Sequence, residues 1–426
     1  MGSSCVGSSP TARTLINSNF IIMSVVKDPQ RIEEVLTRGV ELIYPEKDQL
    51  RELLSSGKRI RLYCGFDPSA PSLHIGNAIM INKLSQFQQL GHEVIFLIGD
   101  FTGMIGDPTD KTAARKQLSK EEVVKNSQYF KQQASVYLDF EGDNPARVEY
   151  NSAWLSKLSF EDIIELSANF TVGQMIQRDM FQERMKREKP IHLHEFLYPL
   201  AQGYDCVVLD VDLEVGGNDQ MFNMMAGRDL MRALKGKEKS VLTCKLLADS
   251  EGKKMGKSEG NAVFLDGEAK DIYGSVMSWS DGVIVPGFEL ATQVPMAEVE
   301  QMEKDLAGDS VNPRDLKMKL AFEITRMIHG QDVAQEAQDH FVRTVQKKET
   351  PEEIELKKLP ESIYNIAELL FLVGLAPSKG EARRLIEQGG VKLDGQNLAD
   401  SKQEVDISEQ RLIQKGKRSF LKVIKQ

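Results

Sequence analysis

The chain has 426 residues, 41% of them apolar, and a formal net charge of −9 at pH 7. That length is long for one domain and supplies enough apolar material for two or three packed cores, while the acidic balance argues against a protein that coats nucleic acid along its whole surface and leaves room only for a local basic face. Four cysteines, Cys5, Cys64, Cys206 and Cys244, show no C-x-x-C pairing, which points to a reducing cytosol and away from a disulfide framework or a zinc site, and no segment has the uninterrupted apolar length of a membrane span.

Residues 1–22 are Ser-rich with a single arginine, weak as a transit peptide and without a signal-peptide core. Residues 1–29 are therefore expected to be a disordered or artefactual extension. Residues 59–66 alternate like a strand, Pro68 and Pro71 break it, and 75–90 carry apolar residues at helical spacing until Gly91. Residues 93–98 form a second strand. In this β-loop-α-β unit the helix starts at the carboxyl end of a strand, where open α/β sheets hold nucleotides. His74 and Asn77 share one face of its first turn, where unpaired N–H groups and the positive end of the macrodipole favour phosphate. Alone, the pair reads more readily as a cap after a Pro-rich turn than as a ligand site.

Residues 99–108 form a Gly-rich turn without the G-x-G-x-x-G spacing, so NAD and FAD find no support. Ser119 and Glu122 make a capping box opening a helix to about residue 138, and Ser159 with Asp162 opens another. Both helices read as core packing. His192 and His194 are too few ligands for a metal and read as structural or surface residues. Between Gly252 and Ser258 the chain offers either a solvated basic loop or a phosphate loop. Only three residues separate Gly252 from Gly256, where the Walker pattern needs four, and 259–266 reads as a turn and a short apolar run rather than a helix.

From 271 to 346 the pattern is helical, with Asn312, Pro313 and Asp315 starting a helix that ends near Gly330. Residues 346–360 are charged, with Pro351 and Pro360 at either end, and read as a linker set at 351–361. Beyond it, Ser378 and Glu381 form a capping box; Ala382, Leu385 and Ile386 face inward, Arg383 and Arg384 cannot, and Gly389-Gly390 ends the helix. Asp394-Gly395 marks a hairpin and 419–424 a closing strand. Residues 379–426 hold 11 basic and 7 acidic side chains, net +4 (11 − 7). A solvated basic face and an RNA-binding surface would look the same at this level.

His74-Ile-Gly-Asn77 and Lys254-Met-Gly-Lys-Ser258 resemble the two signature motifs of class I aminoacyl-tRNA synthetases. Their flanks are similar to the bacterial tyrosyl-tRNA synthetase family. The likeness runs from about residue 30 to the C-terminus and takes in residues 99–108, 195–205 and Gly216-Gly-Asn-Asp-Gln220, and the C-terminal module resembles the S4 RNA-binding domain. Asn77 departs from the second histidine of the first signature. It can still donate a hydrogen bond, so activity with an altered contact to the nucleotide is expected. Gly256, the small central residue of the second signature, only loosens a loop that must move.

The resemblance implies an α/β, Rossmann-like catalytic domain at 30–265, a helical, anticodon-side domain at 266–350 and an α+β S4-like domain at 362–426. It implies a cytoplasmic homodimer that takes L-tyrosine, ATP with Mg²⁺ and tRNA(Tyr), with no metal ligated by the protein. Activation is attack of the amino-acid carboxylate on the α-phosphate, so the substrate brings its own nucleophile and the protein aligns it and stabilises charge on the phosphates. His74 and Ser69 would meet the leaving pyrophosphate; Lys254 and Lys257 would close over it, making contacts mainly in the transition state. Lys111 and Arg115 resemble a further phosphate-binding pair, although simple surface charge would look the same. Family positions assign Tyr63 and Asp205 to the phenolic hydroxyl, Asp107, Tyr198 and Gln202 to the α-ammonium, and Gln220 to the substrate carboxylate. Cys64, Asp67, Gly76, Gly217 and Asp219 fall around ATP, Asn151 and Trp154 behind the substrate, and Lys379, Arg383 and Arg384 on RNA.

Tyr198, Gln202 and Asp205, at i, i+4 and i+7, share one helix face, so one rigid element could read both ends of tyrosine; an amphipathic helix with a few buried polar groups shows the same spacing. The sister specificity for tryptophan shares the fold, and Tyr63 with Asp205 speaks against it. A catalytically silent RNA-binding relative is the other reading. The two lysines of the second signature argue against it and Asn77 keeps it open.

Overall fold

The computed structural model describes residues 24–109, 118–248, 262–346, 354–416 and 419–426. They fall into two compact units, one of residues up to Asp266 with Val285–Glu300, the other of Gly267–Ile284 with Gln301–Gln426.

In the first unit six strands form one sheet: β1 (Val40–Tyr44), β2 (Arg61–Phe66), β3 (Glu93–Ile98), β4 (Arg147–Tyr150), β5 (Leu213–Gly217) and β6 (Ser240–Cys244), in the order β1-β6-β5-β2-β3-β4. The inner pairings are parallel, and β1 closes one edge antiparallel to β6. Strands of a sheet covered on both faces read as apolar runs, as Val94–Ile98 does. Successive strands leave β2 in one direction through β3 and β4 and in the other through β5 and β6. The switch point is thus the crevice at the carboxyl ends of β2 and β5, the place where such sheets bind ligands.

The β-loop-α-β unit forms as the spacing predicts, with a helix over Ile75–Gln89 between β2 and β3. The helix expected from 119 to 138 does not. Its capping box forms, Ser119 Oγ accepting the Glu122 N–H at 3.2 Å and Glu122 the Ser119 N–H at 2.7 Å, but the helix Lys120–Ser127 stops and a short one, Phe130–Ala134, follows. Asn126 donates to the Pro68 carbonyl (2.9 Å), and Gln133 accepts the Leu73 N–H (2.6 Å). A straight helix would hold those anchors about 10 Å apart along its axis; the break lets both grip the loop that carries Ser69 and His74.

Two helices, Leu197–Leu209 and Met221–Lys235, cross where Gly203 meets Gly227. A Cβ on Gly227 would lie 2.6 Å from Cys206 Sγ and 2.8 Å from Lys239 Nζ, and one on Gly203 3.1 Å from the Gly227 nitrogen. The stretch 285–300, read from sequence as part of a helical domain, packs in the first unit. Buried Arg38 explains this: its guanidinium donates to the carbonyls of Phe288 (3.2 Å), Glu289 (3.0 Å) and Thr292 (2.7 Å), partners that a buried charge cannot lose cheaply.

In the second unit Asn312 Oδ1 accepts the Arg314 N–H (3.0 Å), Pro313 takes the first helical position, and Gly330 at φ 89 ends the helix Pro313–His329. The C-terminal module has its own core, including Ile366, Leu370, Ile386, Val391, Ile413 and Val423. Ser378 caps its helix Lys379–Glu387 through the Glu381 N–H (3.1 Å), but the Glu381 carboxylate turns to Arg384 (2.7 Å), so half of the expected box forms. Asp394 (φ 47) and Gly395 (φ 85) make the hairpin turn between Val391–Leu393 and Gln396–Asn397. The expected linker needs correction, because Leu356–Leu359 is a strand paired in parallel with Ser419–Lys425 at the edge of a five-stranded sheet. Its lysines mimic a linker in sequence, yet lysine is what an exposed sheet edge carries. Among the described residues no helix is long and apolar enough to cross a membrane.

Candidate active site

A cleft of about 740 Å³ opens at the switch point. It is lined by the residues expected there within the described segments: Tyr63, Cys64, Asp67, Ser69, His74, Gly76 and Asn77 from β2 and the helix after it, Asp107 beyond β3, Tyr198, Gln202 and Asp205 from one helix face, and Gly217, Asp219 and Gln220 after β5. Lys111, Arg115, Lys254 and Lys257 lie outside the described residues, as do Cys5, Gly252, Gly256 and residues 1–22.

At one end of the cleft Asp205, 2% exposed, accepts from Trp154 Nε1 at 2.7 Å and from Asn151 Nδ2 at 3.2 Å. Burial pushes its carboxyl well above the ordinary value, against the pull of those two donors. Asn151 is itself fixed, its Oδ1 accepting the Phe101 N–H (2.8 Å) and its Nδ2 also reaching Thr102 Oγ1 (3.0 Å). Tyr63, paired across the sheet with Glu214, donates its hydroxyl to Glu214 Oε1 at 2.8 Å and lies 3.0 Å from Cys206 Sγ.

Further along, Asp67 accepts the hydroxyls of Thr102 (2.7 Å) and Tyr198 (2.8 Å), joining β2 to two helices. Any side chain at Gly99 would collide with that carboxylate. Asp107 bridges Thr109, whose hydroxyl (2.6 Å) and N–H (3.0 Å) it accepts, and Gln220, whose Nε2 donates at 2.7 Å. Arg178 braces this corner by donating to Thr109 Oγ1 (2.9 Å) while its guanidinium stacks 4.6 Å from the Phe222 ring.

His74 and Asn77 form a reciprocal cap at the mouth of the cleft. His74 Nδ1 accepts the Gly76 N–H (3.1 Å) and Asn77 Oδ1 accepts the His74 N–H (3.0 Å). The capping and ligand readings of this pair are thus compatible, since a cap holds both side chains at the positive end of the helix. His192 and His194 sit with rings 5.8 Å apart, and the His192 N–H donates to Glu195 (2.8 Å), itself paired with buried Arg184 (2.6 Å). Among the described residues no cluster of three His, Cys, Asp or Glu could hold a metal.

In the second unit Lys379, Arg383 and Arg384 lie exposed on one helix, Lys379 paired with Glu368 (2.6 Å) and Arg384 with Glu381 (2.7 Å). Sequence reasoning missed Glu214, Lys239, Arg178 and Thr102. Glu214 did leave a signal, a charge inside the apolar run of a buried strand, which demands a partner. Lys239 left none, standing in a charged turn among other lysines.

The family model for class I tRNA synthetases (W and Y) matches residues 55–346, and that of the S4 domain matches residues 366–416. The tyrosine–tRNA ligase of Moorella thermoacetica is 42% identical over 393 residues, covering 91% of this chain and 94% of that protein. That of Thermotoga maritima is 40% identical over 398 residues, covering 93% and 98%. A crystal structure of a C-terminally truncated mitochondrial tyrosyl-tRNA synthetase from Coccidioides posadasii superposes with a TM-score of 0.60 at 26% identity, covering 72% of this chain and 91% of that one.

Proposed function

Since the chain belongs to the class I aminoacyl-tRNA synthetases, among the tyrosine–tRNA ligases, we propose that its cleft reads tyrosine with Tyr63 and Asp205 at the phenolic hydroxyl and Asp107, Tyr198 and Gln202 at the α-ammonium. The chain activates L-tyrosine with ATP to tyrosyl-adenylate and pyrophosphate, then transfers the tyrosyl group to the 3′ end of tRNA. The observation that carries the site reading is Asp205, a desolvated carboxylate held in place by Trp154 and Asn151 at the end of the cleft. A ligand without a hydroxyl would leave that buried acceptor with two donors for about four lone-pair sites.

Gln220, tied to Asp107, is assigned to the substrate carboxylate. Cys64, Asp67, Gly76, Gly217 and Asp219 are assigned to ATP. The capped helix start turns the positive end of its macrodipole toward the cleft, which favours phosphate. With Oδ1 engaged by the His74 N–H, Asn77 has its Nδ2 to donate, which keeps a contact of the kind a histidine would make. Ser69 and His74 lie where pyrophosphate leaves, and Lys254, Lys257, Lys111 and Arg115 are given the remaining phosphate charge by motif alone. Chemistry of this kind requires alignment and charge stabilisation, with no covalent step on the protein. Mg²⁺ would come with ATP, bound mostly by phosphates and water. Asp67 and Asp219, which line the same cleft and are assigned to ATP, could accept from water bound to such an ion.

We also assign a homodimer. Phe160, Val172 and Leu193 are 79%, 76% and 80% exposed in the first unit, apolar side chains that a second subunit would take out of water. A monomer in sedimentation equilibrium at micromolar concentration would sink this assignment. The catalytic domain is the first unit, and the RNA-binding module begins at Leu356. The cytoplasm is the compartment implied, in keeping with the buried free thiols of Cys64, Cys206 and Cys244.

Amino-acid-dependent ATP–pyrophosphate exchange tests the substrate assignment. Exchange is expected with tyrosine and to be far weaker with phenylalanine and tryptophan. Exchange driven by tryptophan would reassign Tyr63 and Asp205.

A further inference from the structure

Behind Tyr63 lies a charged pair that contact with tyrosine does not by itself require. Glu214 on β5 and Lys239 just before β6 are 2% and 1% exposed. The Lys239 ammonium donates to Glu214 Oε2, to the Met224 carbonyl (3.1 Å) and to Cys206 Sγ (3.0 Å). A buried ion pair is weak as a stabilising device, because apolar residues of similar volume often serve as well. Its position suggests a different use.

An ionised carboxylate only accepts, at about four lone-pair sites. Glu214 meets four donors: the Tyr63 hydroxyl (2.8 Å) and Gln202 Nε2 (3.1 Å) on Oε1, Lys239 and the Cys206 thiol (3.2 Å) on Oε2. Burial, then the Glu214 charge, pushes the Cys206 thiol up to about 12, so it keeps its proton and can donate. Burial alone would lower the Lys239 ammonium, yet the Glu214 carboxylate beside it holds it above its ordinary value. The Tyr63 hydroxyl has one hydrogen, and it is committed to Glu214. Toward the cleft its oxygen can only accept. Gln202 must likewise turn its NH₂ to Glu214, which makes its carbonyl oxygen the other polar end.

We propose that the Glu214–Lys239 pair sets the hydrogen-bond polarity at the phenolic end of the amino-acid pocket, holding the Tyr63 oxygen as an acceptor beside Asp205, so that the pocket offers two acceptors to the one hydrogen of a phenolic O–H and no donor to a ligand without it. The proposal rests on the tyrosine reading of the cleft and names two positioning residues that act through Tyr63. Lys239 supplies the counter-charge to Glu214 and occupies Oε2, which leaves Oε1 to accept from the Tyr63 hydroxyl and Gln202.

The double variant Glu214→Gln with Lys239→Met removes both charges at similar volume, and pyrophosphate exchange reads the result. The KM for tyrosine is expected to rise about tenfold, with kcat changed by less than about threefold and the KM for phenylalanine by less than about twofold. An equal loss with both amino acids is what mere loosening of the core produces, and it overturns the proposal, as does an unchanged preference for tyrosine. Wild-type protein in the same assay separates the two levels. If it does not use tyrosine, the cleft reading falls; if it does and the variant keeps its preference, only the polarity proposal falls. Should the variant not fold, competition in the wild-type protein decides: 4-aminophenylalanine, which brings N–H donors, is expected to inhibit at least about tenfold more tightly than 4-fluorophenylalanine. Equal inhibition overturns the proposal.

Discussion

Replacing Asp205 by alanine is expected to lower kcat/KM for tyrosine by about a hundredfold while changing that for phenylalanine by less than about threefold, since a hydrogen bond to a charged acceptor contributes about 1.5–3 kcal/mol. Two losses combine. The substrate hydroxyl loses its acceptor, and the Trp154 and Asn151 donors that now reach the carboxylate at 2.7 and 3.2 Å are left buried without it. Only the first depends on the hydroxyl of the substrate, so the ratio between tyrosine and phenylalanine isolates the recognition role from the structural one. Asp205→Asn keeps the shape but brings an NH₂ toward those donors, and it should fall with Asp205→Ala rather than with wild type. Steady-state pyrophosphate exchange over both amino acids is the measurement. A parallel decline for the two substrates would mean that Asp205 only supports the fold and that the hydroxyl is read elsewhere.

The second large effect concerns the two ends of the chain. A protein ending near residue 350 is expected to keep tyrosine-dependent exchange within about twofold, yet to charge tRNA at least about tenfold less efficiently at moderate salt, because a basic surface that positions phosphates is gone. The cut must precede Leu356, since Leu356–Leu359 pairs with Ser419–Lys425 and would otherwise be left as an orphan edge. Removal should leave no hole of its own making, because the buried cluster of the module and the apolar side chains packed against it draw only on residues between Leu359 and Val423. The plot of log affinity for tRNA against log salt should also become shallower, by about two to three if Lys379, Arg383 and Arg384 each meet one phosphate at about 0.7–0.9 per contact. Their present pairing with Glu368 and Glu381 does not stand in the way, as exposed ion pairs are worth about 0–1 kcal/mol. Unaltered tRNA affinity and salt slope in the shortened protein would reduce the module to a solvated basic face.

Much of the local architecture could be read before any fold was known. The caps at Ser159, Asn312 and Ser378, the turn at Asp394-Gly395 and the first turn of the helix after β2 all formed where their residues stand. In each, the deciding interaction runs between groups within three residues, as in the 3.0 Å bond from the His74 N–H to Asn77. The shared face of Tyr198, Gln202 and Asp205 follows from helix geometry in the same way, and all three line the cleft.

What the chain alone could not decide depends on partners distant in sequence. The helix after Ser119 reads as continuous because its apolar spacing is continuous; Asn126 and Gln133 break it by gripping the 68–73 loop, about 60 residues away. The lysines of Leu356–Leu359 have the composition of a linker, and only pairing with a strand at the far end of the module makes them an edge. Asp107 and Gln220 meet across 113 positions, and Glu214 and Lys239 across 25. Capping, turn formation and helical periodicity depend on short-range geometry that the order of residues already contains. The polarity of a buried hydroxyl depends on which charge the sheet brings against it, and here β5 and the turn before β6 bring Glu214 and Lys239 behind Tyr63.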